Sequence, residues 1–188
     1  MILQIDHVAL ATTDVAREQA QWEAVGYRVE FSERDVPNLP LKAAYMHRYQ
    51  PWHNVMLLRH DAAVGIELLD HGHVLPEPPA VQVLKAGPVC GLRWESGCGS
   101  ESASFWQAMG FTEVPAAQGP GHRCQFKAPL TGQVFELQLM EVPLRRPLKL
   151  DEAGFNAVAL LSNRPALERQ RLLAAGYACS DIGRVSLH

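Results

Sequence analysis

Cysteine is scarce in this sequence and unpaired in its spacing. The four residues Cys90, Cys98, Cys124 and Cys179 include no C-x-x-C pair, which argues against a zinc knuckle or a dithiol redox motif and leaves reduced, mostly structural thiols. A surplus of charge is missing too. Seventeen Lys+Arg against 20 Asp+Glu give a formal charge of −3, and no basic run is longer than Arg145-Arg146. The concentrated positive surface that grips phosphate backbones is therefore absent, and nucleic acid is not an expected partner. Apolar stretches are interrupted every few residues by a charge or a proline, and the opening Met1 to Asp6 has neither a basic lead nor a long apolar core. Neither a membrane span nor a secretory signal is expected, and the cytoplasm is the default location. What is present is 188 residues, 47% hydrophobic and 20% charged, the profile of one soluble domain or two small ones.

The chain repeats itself. Trp22-Glu23-Ala24-Val25-Gly26-Tyr27 matches Trp106-Gln107-Ala108-Met109-Gly110-Phe111 at an offset of 84 residues, and the latter resembles Leu172-Leu173-Ala174-Ala175-Gly176-Tyr177 at an offset of 66. Each segment should close a helix, with the glycine in the left-handed position past its end and the aromatic opening a strand. Ahead of each lies a short apolar run of strand length: Ile5 to Leu10, Cys90 to Trp94 and Phe155 to Leu160. Asp14, Ser100 and Asn163 are the expected N-caps between run and helix, and Pro165 suits a first helical turn.

Two further strands follow in each of the first two units. They are Asn54 to Arg59 and Val64 to Leu69 in the first, and Arg123 to Lys127 and Val134 to Leu139 in the second, with turns at Ala62-Ala63 and Thr131-Gly132. The predicted order is strand, helix, strand, strand, strand, written twice. The expected modules are 1–74 and 84–142, with a partial third, strand-helix-strand, at 152–188. Between its helix-ending glycine and the glutamate of its last strand, unit one has 15 more residues than unit two, within Glu33 to His53. That stretch carries Tyr45, Tyr49 and Trp52, and reads equally as a lid over a pocket or as a hairpin packing its own aromatics. The half-unit needs a cover for its strand edges, either the second unit or the same segment of another chain, which makes a homodimer the expectation.

A tandem strand-helix-strand-strand-strand unit that opens with Ile5-Asp6-His7-Val8-Ala9-Leu10, turns at Gly26-Tyr27 and closes on Ile66-Glu67-Leu68 resembles the vicinal oxygen chelate superfamily, which includes glyoxalase I, extradiol dioxygenases and bleomycin-binding resistance proteins. The resemblance implies an α+β fold in which βαβββ modules pair into a cupped, mostly antiparallel sheet. It also implies a divalent ion, Mn, Fe, Ni, Co or Zn, held in the cup by a first-strand and a last-strand residue of each module. Carried over, these positions are His7 and Glu67 in unit one, and Gly91 and Glu136 in unit two. The sequence departs from the pattern at Gly91, which has no ligand atom, and the third unit offers only Ala157 in its place.

The residues have their own chemistry beside the resemblance. One imidazole and two carboxylates suit a borderline divalent ion with open positions for substrate oxygens, and two facing glutamates without a cation would repel each other. Arg93 shares strand parity with Gly91, so it could orient an anionic substrate or replace the metal by pairing with Glu136 and Glu67. His71 shares the parity of Glu67, although His71-Gly72-His73 reads more simply as a solvated turn. The expected function is a metal-dependent enzyme of lyase or isomerase type acting on a small oxygen-rich or anionic substrate. Its metal ligands would be His7, Glu67 and Glu136, with one glutamate free to act as general base. The alternative is a metal-free protein that binds a small molecule or antibiotic, its cup lined by Arg93, Trp94, Tyr45, Tyr49 and Trp52.

Overall fold

A computed structural model describes residues 1–75, 81–84, 86–115, 121–143 and 148–181. The first unit runs β1 (Ile2–Ala11), α1 (Val15–Glu23), β2 (Arg28–Pro37), a 3-10 turn (Pro40–Tyr45), β3 (Trp52–His60) and β4 (Ala63–Asp70). After the short β5 (Val81–Val83), the second runs β6 (Gly91–Ser96), α2 (Gly99–Ala108), β7 (Thr112–Val114), β8 (His122–Lys127) and β9 (Val134–Glu141). The third contributes β10 (Gly154–Ser162) and α3 (Pro165–Ala174).

The repeated motif folds as the sequence implies at its clearest point. Gly26, Gly110 and Gly176 follow the three helices at φ of 97°, 94° and 86°, a region that a side chain enters only with strain. Tyr27 and Phe111 beyond them are buried. Tyr177 leads into no strand through Asp181 and instead meets Phe105 edge-on at 5.1 Å. The expected second strand of the third unit is thus missing as far as residue 181, and its remainder lies outside the described residues. Capping also differs from expectation in two of three helices. Asp14 does cap α1, its carboxylate accepting from the Arg17 amide at 3.1 Å. At α2 the cap position falls on Cys98, and Glu141 from β9 accepts the Gly99 amide at 3.1 Å. At α3 Arg164 takes that position, and Asn163 accepts a bond from the N-terminal ammonium.

In both units the first strand lies parallel to the last, a pairing that needs the intervening helix as a crossover. The α+β class and the tandem units stand as expected. The two complete units do not, however, share a sheet. One sheet has the order β10-β1-β4-β3-β2 and the other β5-β6-β9-β8-β7. The strand beside β1 therefore comes from the third unit, and the strand beside β6 comes from the segment between units one and two. β10 thus finds one partner in β1 of its own chain and forms the edge of that sheet.

Strand alternation sorts each sheet into two faces. Val8, Leu58, Ile66 and Leu68 of the first sheet are 0% exposed, as are Leu92, Cys124, Leu137 and Leu139 of the second, and they form one continuous core with the helices. Tyr27 ties the units together inside it. Its hydroxyl donates to the Val64 carbonyl at 3.1 Å and accepts from the Val89 amide at 2.9 Å. The opposite face of the first sheet carries Ala9, Val55 and Leu69 as a separate buried apolar cluster, joined by Val36 and Ala157.

Candidate functional site

That second face of the first sheet presents the polar residues. His7 lies opposite Gly65, and Ala9 opposite Glu67, in the parallel pairing of β1 with β4. His7 Nε2 is 3.4 Å from Glu67 Oε2. A register shift in the β1–β10 pairing falls between Ile5 and His7, and a bulged residue escapes strict alternation. The bulge accounts for Asp6 reaching the same imidazole as its neighbour in sequence. Its Oδ2 accepts from His7 Nδ1 at 2.8 Å. Arg59 of β3 in turn holds Asp6 with both terminal nitrogens, at 3.0 and 3.2 Å, while its Nε donates to Glu30 at 2.7 Å.

His7 is thus clasped between two carboxylates. Burial alone would favour its neutral form, but the bond to Glu67 and then that to Asp6 outweigh it and raise the imidazole above its ordinary value. Burial likewise opposes ionisation of Glu67, and His7, with Lys42 and His53 behind it, holds the carboxyl below the ordinary range nonetheless. Lys42 comes from the 3-10 turn inside the extra segment of unit one. Burial lowers its ammonium, and Glu67 partly offsets that.

Further along the same face His53 and His71 meet with ring centroids 5.3 Å apart. Both are buried. His71 is therefore not in a solvated turn: its parity with Glu67 carries past the strand end, where His53 packs against it. Burial, followed by the charges of His53 and Lys42, depresses the His71 imidazole to about 4. Beyond them, the wholly buried Asp151 accepts the amides of His47 and Arg48 at 2.9 and 2.8 Å and faces His73 Nε2 at 3.2 Å. These bonds fasten the far end of the extra segment to the entry of β10.

Glu136 lies elsewhere. It sits on β9 of the second sheet, where Arg123 of β8 grips it through Nε at 2.7 Å and Nη2 at 2.6 Å, with Gln125 and Gln138 alongside. The bidentate arginine holds the carboxyl below the ordinary range. Gly91 faces Glu136 in the β6–β9 pairing, and a Cβ there would come 2.6 Å from the Glu136 carbonyl oxygen. That position therefore lacks room for a ligand side chain as well as lacking the side chain itself. The two glutamates expected to share one cup are each neutralised separately, one by His7 and Lys42 and the other by Arg123. Among the described residues, no group of three or more His, Cys, Asp or Glu converges as a metal site.

The residues expected to line the cup scatter as well. Trp94 packs into the helical core, 5.9 Å from Trp106, on the opposite face from Arg93. Arg93 itself is exposed, and the arginine on Glu136 is Arg123. Tyr45 and Trp52 are exposed, and Tyr49 donates to the Asn38 carbonyl at 2.7 Å within its own loop. Asp6, Lys42, His53, Arg59 and Arg123 are the site residues that the sequence reading missed. Arg123 was within reach of counting, since the Thr131-Gly132 turn sets Gln125 opposite Glu136 and so Arg123 opposite Gln138. Lys42 had no such signal.

In each unit the last strand sits between the first strand and a β3–β2 type hairpin, with the helix crossing over the core face, an arrangement that matches the glyoxalase-like fold. Two solved structures of mutant forms of glyoxalase I from Zea mays resemble the chain across 92% of its length. One has a TM-score of 0.56 at 12% identity over 79% of that protein. The other has a TM-score of 0.57 at 11% identity over 80%. No protein-family model and no curated protein matches the sequence. Likeness at this identity establishes the fold, and one fold hosts many chemistries, so function has to be argued from the site. No helix among the described residues is long and apolar enough to cross a membrane.

Proposed function

We propose that this protein binds a small oxygen-rich or anionic molecule on the outer face of its first sheet and moves a proton on it through His7 and Glu67. The observation that carries this reading is the chain of contacts Arg59–Asp6–His7–Glu67, an imidazole fixed by one carboxylate and facing a second. Asp6, itself anchored by Arg59, sets the ring so that Nδ1 is engaged and Nε2 points at Glu67 and whatever lies beside it. A protonated His7 there would donate to a carbonyl oxygen, and the ionised Glu67 would take the proton from the adjacent carbon. The reaction class is isomerisation or elimination next to a carbonyl.

A divalent ion of the kind the fold family uses would find His7 and Glu67 side by side in this face, with no third donor converging on them among the described residues. The expected third, Glu136, belongs to the other sheet and is engaged by Arg123, and the third unit's counterpart of His7 is Ala157. The donor set of the described residues does not fit a three-ligand centre, and no step is routed through a metal.

Exchange of carbonyl-adjacent protons into deuterated water, followed by NMR over a panel of small 2-oxo acids and hydroxyketones, tests the reading. Wild type should catalyse exchange on at least one compound, Glu67→Gln should not, and a chelator should leave the rate unchanged. Activity that a chelator removes and Mn, Fe(II), Ni, Co or Zn restores would replace this reading with the metal-dependent one. No exchange and no binding of any compound would refute both.

A further inference from the structure

Four residues beyond Glu67 on the same strand face stands a group that the proton-transfer chemistry does not use. The β3–β4 register pairs Val55 with Leu69 and Asn54 with Asp70, so the next pair outward on this face is His53 with His71. They are 7% and 3% exposed. His71 Nδ1, His71 Nε2 and His53 Nδ1 are buried without a hydrogen-bond partner among the described residues. A neutral imidazole carries one donor and one acceptor, and leaving both unmade in the interior costs stability unless something else makes them.

The charges around the pair show what would fit. Lys42 belongs to the 3-10 turn; burial and then its ammonium depress His53, and Glu67 opposes them. His73 adds to the depression of His71 from the segment after β4, and Asp151, before β10, opposes it. The nearby carboxylates are already committed: Glu67 to His7, Asp70 to Asn54 and the Gly72 amide, and Asp151 to two backbone amides and His73. The two imidazoles therefore meet with open nitrogens, Lys42 acts on both of them, and Glu67, already bound to His7, is the carboxylate that acts on Lys42 and His53 in return. Ala9, Val55 and Leu69 form an apolar floor on this face between the two polar ends.

We propose that Lys42, His53 and His71 form an oxyanion subsite, which accepts the carboxylate or phosphate group of a molecule whose carbonyl end reaches His7 and Glu67. The link between the two ends rests on the function proposed above, while the subsite itself can be tested alone. An oxyanion satisfies the orphaned nitrogens as acceptor and places negative charge beside Lys42. It also returns protons to the imidazoles, so binding tightens as pH falls. A metal ion would do the reverse, competing with protons for the same nitrogens and facing the Lys42 ammonium at close range.

The test follows the His53 and His71 imidazole signals by NMR in the full chain, titrated with inorganic phosphate and with malonate. Saturable shifts of both rings are expected, with affinity rising up to about tenfold per pH unit for each proton taken up between about pH 7 and pH 6. Lys42→Met, a neutral side chain of similar length on a partly exposed turn, should weaken binding by about tenfold or more. His71→Gln should abolish the shift at His53. Response to phosphate alone or to malonate alone supports the subsite and names its group. Lys42→Met binding as tightly as wild type, or no saturable shift with either anion, would overturn the proposal. So would tighter binding of zinc as pH rises with no anion response, which would make the pair a metal site. His7→Gln should retain anion binding while losing proton exchange, which separates failure of the subsite from failure of the function above.

Discussion

Substituting His71→Leu should make the protein more stable at neutral pH and less sensitive to mild acid. The His71 imidazole titrates at about 4 in the folded chain against an ordinary 6.5, because it is buried beside His53 and Lys42. A base held neutral in this way leaves folding unpenalised above about 6.5. Stability is lost as pH falls from there toward 4, because the unfolded chain takes up a proton that the folded chain refuses. The full difference is on the order of 3 kcal/mol, and about 2 kcal/mol of it should disappear between pH 7 and pH 5. His71 is almost wholly buried, so solvent screening removes little of this. Leucine has no proton to gain and leaves no orphaned nitrogens, and at neutral pH the variant should gain about 1–3 kcal/mol. Urea unfolding of both proteins at pH 7 and pH 5 gives the comparison. Carboxylates common to both cancel in the difference. Parallel losses in wild type and His71→Leu would show that the ring is hydrated or already charged, and would refute the electrostatic account of this face.

Other outcomes follow from individual contacts. Glu67→Gln should lower the titration midpoint of His7 seen by NMR, since burial remains while the carboxylate that outweighs it is gone; an unchanged midpoint would show that Glu67 is not its partner. Arg123→Met should raise the Glu136 carboxyl toward or above its ordinary value, read from its side-chain carbon resonance, and leave the His7 titration unmoved because the two sit on different sheets. Tyr27→Phe removes a hydroxyl that serves a buried carbonyl and a buried amide of both units, and should cost about 1–3 kcal/mol in urea unfolding. Gly91→Ala forces a methyl against the Glu136 carbonyl and Leu84 and should cost about 1–3 kcal/mol by overpacking, whereas a neutral result would mean that β6 and β9 separate there easily.

The sequence alone determined the units of this protein. A glycine-aromatic pair after each helix, alternation along each strand and turn residues between strands are local signals, and they repeat because each unit solves the same short-range problem. The family resemblance that the repeat carries pointed to His7 and Glu67, a first-strand and a last-strand residue, and the pairing of β1 with β4 places them on one face. How the units associate was decided only in three dimensions. Whether β1 takes its neighbour from β6 or from β10 depends on which edges and apolar faces compete across more than a hundred residues, and no local period encodes that choice. The choice separates Glu136 from His7, giving it to Arg123 instead. It also explains why the extra segment of unit one, legible only as a loop, delivers Lys42 rather than its aromatics to the face where Glu67, His53 and His71 wait.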